Sequence, residues 1–78
     1  PVMNTNTLTI RLSANNNSTA QVKIVDLSGR ILHQQQNILV DGINSITVNE
    51  MSRLQAGTYF VQVSIGEEVL NSKFTIVR

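Results

Sequence analysis

Leu54-Gln55-Ala56-Gly57-Thr58-Tyr59-Phe60-Val61-Gln62-Val63-Ser64-Ile65 holds both a corner signal and the clearest strand in the chain. From Tyr59 the apolar residues fall at every second position, Tyr59, Val61, Val63 and Ile65, while Thr58, Gln62 and Ser64 take the alternate ones. Successive strand side chains point to opposite faces, so this pattern buries one face and wets the other, as in an antiparallel sheet. Phe60 alone breaks it, an aromatic on the outer face. Upstream, Leu54 and Gly57 flank a break in the alternation, and a tyrosine two residues after such a glycine can turn its hydroxyl back onto the preceding connection. That arrangement, a tyrosine corner, fastens a crossover between two packed sheets. The plainer alternative is a half-buried strand tyrosine. In either case Tyr59 serves stability rather than catalysis.

The alternation recurs on both sides. Downstream, Gly66-Glu67 is a two-residue link with glycine first, suited to a type II′ hairpin. The last strand, residues 68–78, sets Leu70, Phe74 and Ile76 against Lys73, Thr75 and Val77, and Phe74 is expected to meet Tyr59 across the core. Upstream, Asp41-Gly42 marks a turn, after which Ile46 and Val48 face inward and Thr47 and Asn49 outward. Residues 50–56 read as one helical turn or a loop, with Met51 and Leu54, three apart, plugging the end of a sandwich.

Nearer the start, Leu8, Ile10 and Leu12 define a first strand, and residues 13–19, rich in Asn and Ser, are expected to form a hairpin loop. The two Asn-x-Ser/Thr acceptor sequences there, at Asn16 and Asn17, are what such a composition produces by chance. Ala20, Val22 and Ile24 form the next strand, which ends at Asp26-Leu27-Ser28-Gly29-Arg30. Asp opening a turn with Gly three residues on is the pattern of a type I turn with a glycine bulge. Residues 30–40 keep no phase: Ile31 and Leu32 are adjacent and Gln34-Gln35-Gln36 carries no alternation. We expect an exposed edge strand there, poorly protected against pairing with another copy, and so a weak homodimer through that edge. With a short start at Val2-Met3, the pattern predicts an all-β chain, an immunoglobulin-like antiparallel β-sandwich of about seven strands in a single domain spanning residues 1–78.

Length and composition exclude several functions. A 78-residue chain buries only about 60 to 65% of its unfolded surface, which leaves room for one thin core and no deep cleft. Hydrophobic residues make up 41% and charged residues 14%, so amides and hydroxyls supply the solvated face. Net charge is +1 with the charges scattered, and without a basic stripe nucleic acid is not expected as a partner. Cysteine is absent, which removes disulfides, thiolate catalysis and sulfur-built zinc sites. No apolar run approaches the ~20 residues of a transmembrane helix, and any export signal is expected upstream of Pro1.

Catalytic chemistry finds no constellation. His33, the single histidine, lies among glutamines and reads as a solvated side chain. Asp26 and Asp41 are explained as turn residues together with Gly29, Arg30 and Gly42, and Glu67-Glu68 point apart at a hairpin tip, unlike a glycosidase pair. Asp41 with Asn44 falls short of the about six oxygens calcium needs. The glycines are isolated, so none forms a phosphate cradle. No cofactor and no metal site are expected.

Asp26-Leu27-Ser28-Gly29-Arg30, then Asp41-Gly42 with Asn44, Ile46 and Val48, then Leu54, Gly57, Tyr59, Val61 and Val63, and last Lys73-Phe74, Ile76 and Arg78 resemble the C-terminal sorting domain of type IX secretion cargo, also called the Por secretion system C-terminal domain. The resemblance spans nearly the whole chain. Gly-x-Tyr-x-Val-x-Val alone is shared with fibronectin-like domains, whereas the ordered set closing on a basic residue is specific. The family opens with Asn-Pro, of which Pro1 and Val2 would be the remainder, and Arg78 stands where Lys is frequent.

The resemblance implies an address label on secreted proteins of Bacteroidota, itself no enzyme. The cargo would lie upstream, reach the periplasm by its own signal, be recognised by the outer-membrane translocon and its shuttle protein, and lose the domain to a surface sortase before attachment or release. For recognition the final hairpin is expected to matter, through Gly57, Tyr59, Val61, Val63, Gly66, Lys73, Phe74, Ile76 and Arg78, with the terminal strand offering an edge for strand addition. The competing expectation is an immunoglobulin-like or fibronectin-like accessory module, binding through Val25, Leu27, Phe60 and Val77 or spacing domains in a larger secreted protein.

Overall fold

The computed structural model describes residues 2–3, 7–49 and 51–77. Its strands are β1 (Val2–Met3), β2 (Leu8–Ala14), β3 (Ser18–Val25), β4 (Ile31–Leu39), β5 (Gly42–Val48), β6 (Gly57–Ile65) and β7 (Glu68–Ile76), with a 3₁₀ turn at Met51–Arg53 between β5 and β6. They form two sheets, one of five strands in the order β1-β7-β6-β3-β4 and one of two, β2-β5. The strands of seven to nine residues number six and pair antiparallel throughout; Val2–Met3 adds only a two-residue parallel pairing to Thr75 and Ile76. The described residues are therefore all-β and sandwich-like, with six full strands where about seven were expected.

The core is built by alternation. Ala20, Val22 and Ile24 of β3 and Tyr59, Val61 and Val63 of β6 are buried, with Phe74 and Ile76 of β7 beside them. From the two-stranded sheet Ile46 and Val48 meet that layer, and Leu8, Ile10 and Leu12 pack against it half-buried. Met51 is buried and Leu54 half-buried, so the short turn plugs the end of the sandwich as the three-residue spacing predicts.

Two hairpins follow the sequence signals. At the β3–β4 turn Gly29 N–H donates to the Asp26 carbonyl at 3.0 Å, Asp26 N–H to the Arg30 carbonyl at 3.1 Å, and Gly29 sits at φ 89°. A left-handed φ costs a residue with a Cβ about 1 kcal/mol or more, and glycine avoids that strain. The register slips by one residue beside the turn, between Ile24 and Val25, so that Ile24 faces His33 and Val25 faces Ile31. At the β6–β7 turn Gly66 has φ 61°, as a primed two-residue turn requires, and Ile65 pairs with Glu68.

Three expectations are corrected. Residues 13–19 do not close a hairpin: β2 pairs with β5, and the chain passes from Ala14 to Ser18 into the other sheet. The β2 stripe of Leu8, Ile10 and Leu12 must cover the β3–β6 face, which pairing beside β3 would not allow. Phe74 does not face Tyr59 across the core but stands beside it in the same sheet, ring centroids 5.8 Å apart and planes at 27°. His33 is half-buried rather than solvated, and its Nε2 donates to Gln35 Oε1 at 2.8 Å.

The Asp26 carboxylate organises the first hairpin. Its Oδ1 accepts from the Ser28 hydroxyl at 2.6 Å and from the N–H groups of Ser28 and Arg30, each at 3.0 Å, and Oδ2 lies 3.4 Å from Arg30 Nε. The Ser28 hydroxyl first, then the Arg30 amide, hold this carboxyl below its ordinary value. A carboxyl lowered in the fold binds fewer protons folded than unfolded, so its contribution is present above the ordinary carboxylate pKa and lost as pH falls through the folded one. Asp26→Asn should therefore lower the urea midpoint at about pH 6, and the gap to wild type should close as pH falls through the lowered carboxyl pKa. A pH-independent gap would contradict this role.

Candidate recognition surface

The region around β6 and β7 is positioned by the corner at the start of β6. After β5 the chain turns through Met51–Arg53, where Leu54 N–H donates to the Met51 carbonyl at 3.1 Å, and enters the five-stranded sheet at Gly57. Tyr59 Oη then donates to the Gln55 carbonyl at 2.6 Å, the tyrosine corner that the glycine-tyrosine spacing predicts. It ties the crossover to the strand it feeds.

From that corner the expected recognition residues separate into two groups. Tyr59, Val61, Val63, Phe74 and Ile76 are buried and line the core, and Gly57 is half-buried opposite Ile76. Gly66 and Lys73 are exposed, Gly66 at the hairpin tip and Lys73 on the outer face opposite Phe60. Arg78 lies outside the described residues. A partner docking on the folded chain thus reaches Gly66 and Lys73 but not the apolar alternation beside them.

What else this hairpin presents is backbone and unpaired apolar surface. Among the described residues β1 covers β7 only at Thr75 and Ile76, and none of them pairs with its outer edge from Glu68 to Phe74. Leu70 is on the inner face yet is 45% exposed, and Val69 on the outer face is 50% exposed. The terminal strand is an edge for only part of its length.

Among the described residues no group of three or more His, Cys, Asp or Glu side chains stands together as a metal would need. A shallow hollow of about 280 Å³, lined by Arg11, Leu12, Ser13 and Ile43, lies on the two-stranded sheet and holds no acid or histidine. Glu50 lies outside the described residues. Among the described residues no helix is long and apolar enough to cross a membrane.

A family model for the secretion system C-terminal sorting domain matches residues 1–77. The chain belongs to this family. Neither a curated protein nor a solved structure matches it. The sorting domain is a C-terminal signal for type IX secretion, a route of Bacteroidota, and implies export of the protein that carries it to the cell surface or the extracellular space.

The turn residues of the sorting domain fall into two places. Asp26, Gly29 and Arg30 meet in the β3–β4 turn, whereas Asp41 and Gly42 stand where the chain crosses from β4 to β5. That crossover depends on two side chains whose roles the sequence did not reveal. Asn44 Oδ1 accepts from Val40 N–H at 3.0 Å, and its Nδ2 donates to the carbonyls of Val40 and Gly42; Asn17 Oδ1 accepts from Asp41 N–H at 3.2 Å and joins the two loops. The Asp41-Gly42-x-Asn44 spacing contains the first of these, as an Asn reaching back over a turn, but nothing local announces Asn17.

Magnitudes separate the corner from the core. Tyr59→Phe removes one hydrogen bond whose acceptor belongs to an exposed residue and should cost about 1 kcal/mol, with the fold kept. Phe74→Ala empties a site 2% exposed and should cost about 3–5 kcal/mol. Urea unfolding checks both; equal losses would mean that the corner, not burial, carries the stability.

Proposed function

We propose that the sorting domain works as a folded address label, not as an enzyme, and that the exposed part of the β6–β7 hairpin is what the export machinery reads. The cargo precedes it in the chain and crosses the periplasm before the type IX translocon and its outer-membrane shuttle engage the label. A surface sortase then removes the domain on attachment or release of the cargo. Within this reading Gly66, Lys73 and Arg78 contact the partner together with the open backbone of residues 68–74. Gly57, Tyr59, Val61, Val63, Phe74 and Ile76 act indirectly, by holding the hairpin in place. The fold is read as a reduced immunoglobulin-like sandwich, and the Tyr59 corner supports that relation.

The observation that carries this reading is the β7 edge from Glu68 to Phe74, which no described strand pairs, next to the exposed Lys73 and the 45% exposed Leu70. An unpaired strand edge offers alternating donors and acceptors, and a partner strand can satisfy them. The accessory-module reading has one feature in its favour, the outer-face row of Ile31, Val25 and Phe60, which register brings side by side.

Residues 1–78 fused behind an exported reporter, in a cell competent for type IX secretion, separate the two. The label reading predicts surface delivery, reduced several-fold by Lys73→Glu with Arg78→Glu while the purified domain melts as wild type does. Retention of the intact, folded fusion in the periplasm would support the module instead. Removal of residues 73–78 is a weaker test, since it also deletes the buried Phe74 and Ile76.

A further inference from the structure

β4 is the other outer strand of the five-stranded sheet, paired to β3 on one side and to nothing described on the other. It is nine residues long and carries no proline and no charged side chain, the two devices by which edge strands usually discourage pairing. β7 differs in charge and in cover: Glu68 and Lys73 lie along it and β1 pairs with one end. The β3–β4 hairpin also carries apolar surface outward, with Ile31 50% and Ile38 81% exposed.

The sequence of β4 is nearly its own reverse. Ile31-Leu32-His33-Gln34-Gln35-Gln36-Asn37-Ile38-Leu39, read about Gln35, sets Gln34 with Gln36, His33 with Asn37, Leu32 with Ile38 and Ile31 with Leu39. An antiparallel two-fold pairing needs a strand compatible with its own reversed copy, and this one matches apolar to apolar and hydrogen-bonding group to hydrogen-bonding group. The alternation agrees over the central five residues. His33, Gln35 and Asn37 lie on the inner face and Gln34 and Gln36 on the outer, so each side chain meets one on its own side of the joined sheet. The bulge by the turn ends the regular part of the ladder at Leu32.

We propose that β4 is a homodimerisation edge: two copies pair antiparallel about Gln35 into one continuous sheet, with Gln34 of each opposite Gln36 of the other. The inner amides are already braced for it. Gln35 Nε2 donates to Asn37 Oδ1 at 2.7 Å and to the Thr47 carbonyl of β5 at 3.2 Å, which keeps this edge tied to the second sheet. On the outer face Gln21 Nε2 donates to Gln36 Oε1 at 3.0 Å, leaving the Gln36 amide nitrogen able to donate across the axis. Pairing consumes both β4 edges, so the assembly closes at two copies. An interface of one strand pair is small, and the dimer is therefore weak and forms where the chain is concentrated. This inference is independent of the secretion reading.

Sedimentation equilibrium from about 10 μM to about 1 mM tests it, and wild type should pass from the 8.6 kDa monomer toward twice that mass. Gln34→Lys with Gln36→Lys places like charges opposite each other twice and should weaken the dimer about tenfold. Gln34→Lys with Gln36→Glu places opposite charges there and should tighten it. Both pairs of changes are on exposed side chains, and circular dichroism confirms that each variant is folded. Amide exchange gives a second readout: protection at residues 33–37 should rise with protein concentration. A monomer throughout the range, equal shifts for the two double variants, or protection rising elsewhere instead would overturn the proposal.

Discussion

The apolar face of a five-stranded sheet has to be covered, and in this chain two strands do the covering. β2 and β5 lie over its inner face, and burial is complete along β3, at Ala20, Val22 and Ile24, and at Ile46 and Val48 of the covering strand β5. Toward the flanks the cover runs out, and the inner face changes character. On β4 it becomes His33, Gln35 and Asn37, bonded to one another and, through Gln35, to the Thr47 carbonyl. On β7 Leu70 is left partly exposed. A small domain cannot bury every inward position, and polar residues that satisfy one another are the stable way to end a core.

The crossovers follow from the same constraint. A strand that must serve as cover has to leave the sheet it came from, so from β2 onward the chain changes sheets after β2, after β4 and after β5. Each passage is short and each is fastened by a side chain: Asn17 and Asn44 at the first two, Tyr59 at the third. One such hydrogen bond contributes about 1 kcal/mol, small beside the burial of Phe74 or Ile24, so these bonds select the path of the chain more than they stabilise it. For a domain read by another machine, path matters, because it decides which edge is left open.

Much of this was legible in the residues. Alternation placed β3, β6 and the second half of β7, the Asp26-to-Gly29 spacing gave the bulged turn, and the glycine-tyrosine step gave the corner, because each is a local pattern with a local cause. The loss of phase in residues 30–40 pointed to an edge strand, and β4 is one. Sheet membership was not legible: Leu8, Ile10 and Leu12 alternate identically whether β2 pairs with β3 or with β5, and an Asn-rich connection serves a hairpin and a crossover alike. The division of the family's signature residues was legible in part: alternation turned Tyr59, Val61, Val63, Phe74 and Ile76 inward and they are core, while the exposure of Leu70 on the same face carries no signal in sequence, since it depends on how far the other sheet extends.

The central claim is that the signature builds a folded sandwich and that its uncovered β7 end is the surface engaged during export. Site-specific photocrosslinking in secreting cells measures this directly, with the probe placed in turn at exposed positions Glu68, Asn71 and Lys73 on β7 and at Thr9 and Ser45 on the outer face of the two-stranded sheet. The account predicts crosslinks to the export machinery from the β7 positions and none from Thr9 or Ser45. Crosslinks from Thr9 and Ser45 alone, or equally from all five positions, would contradict it.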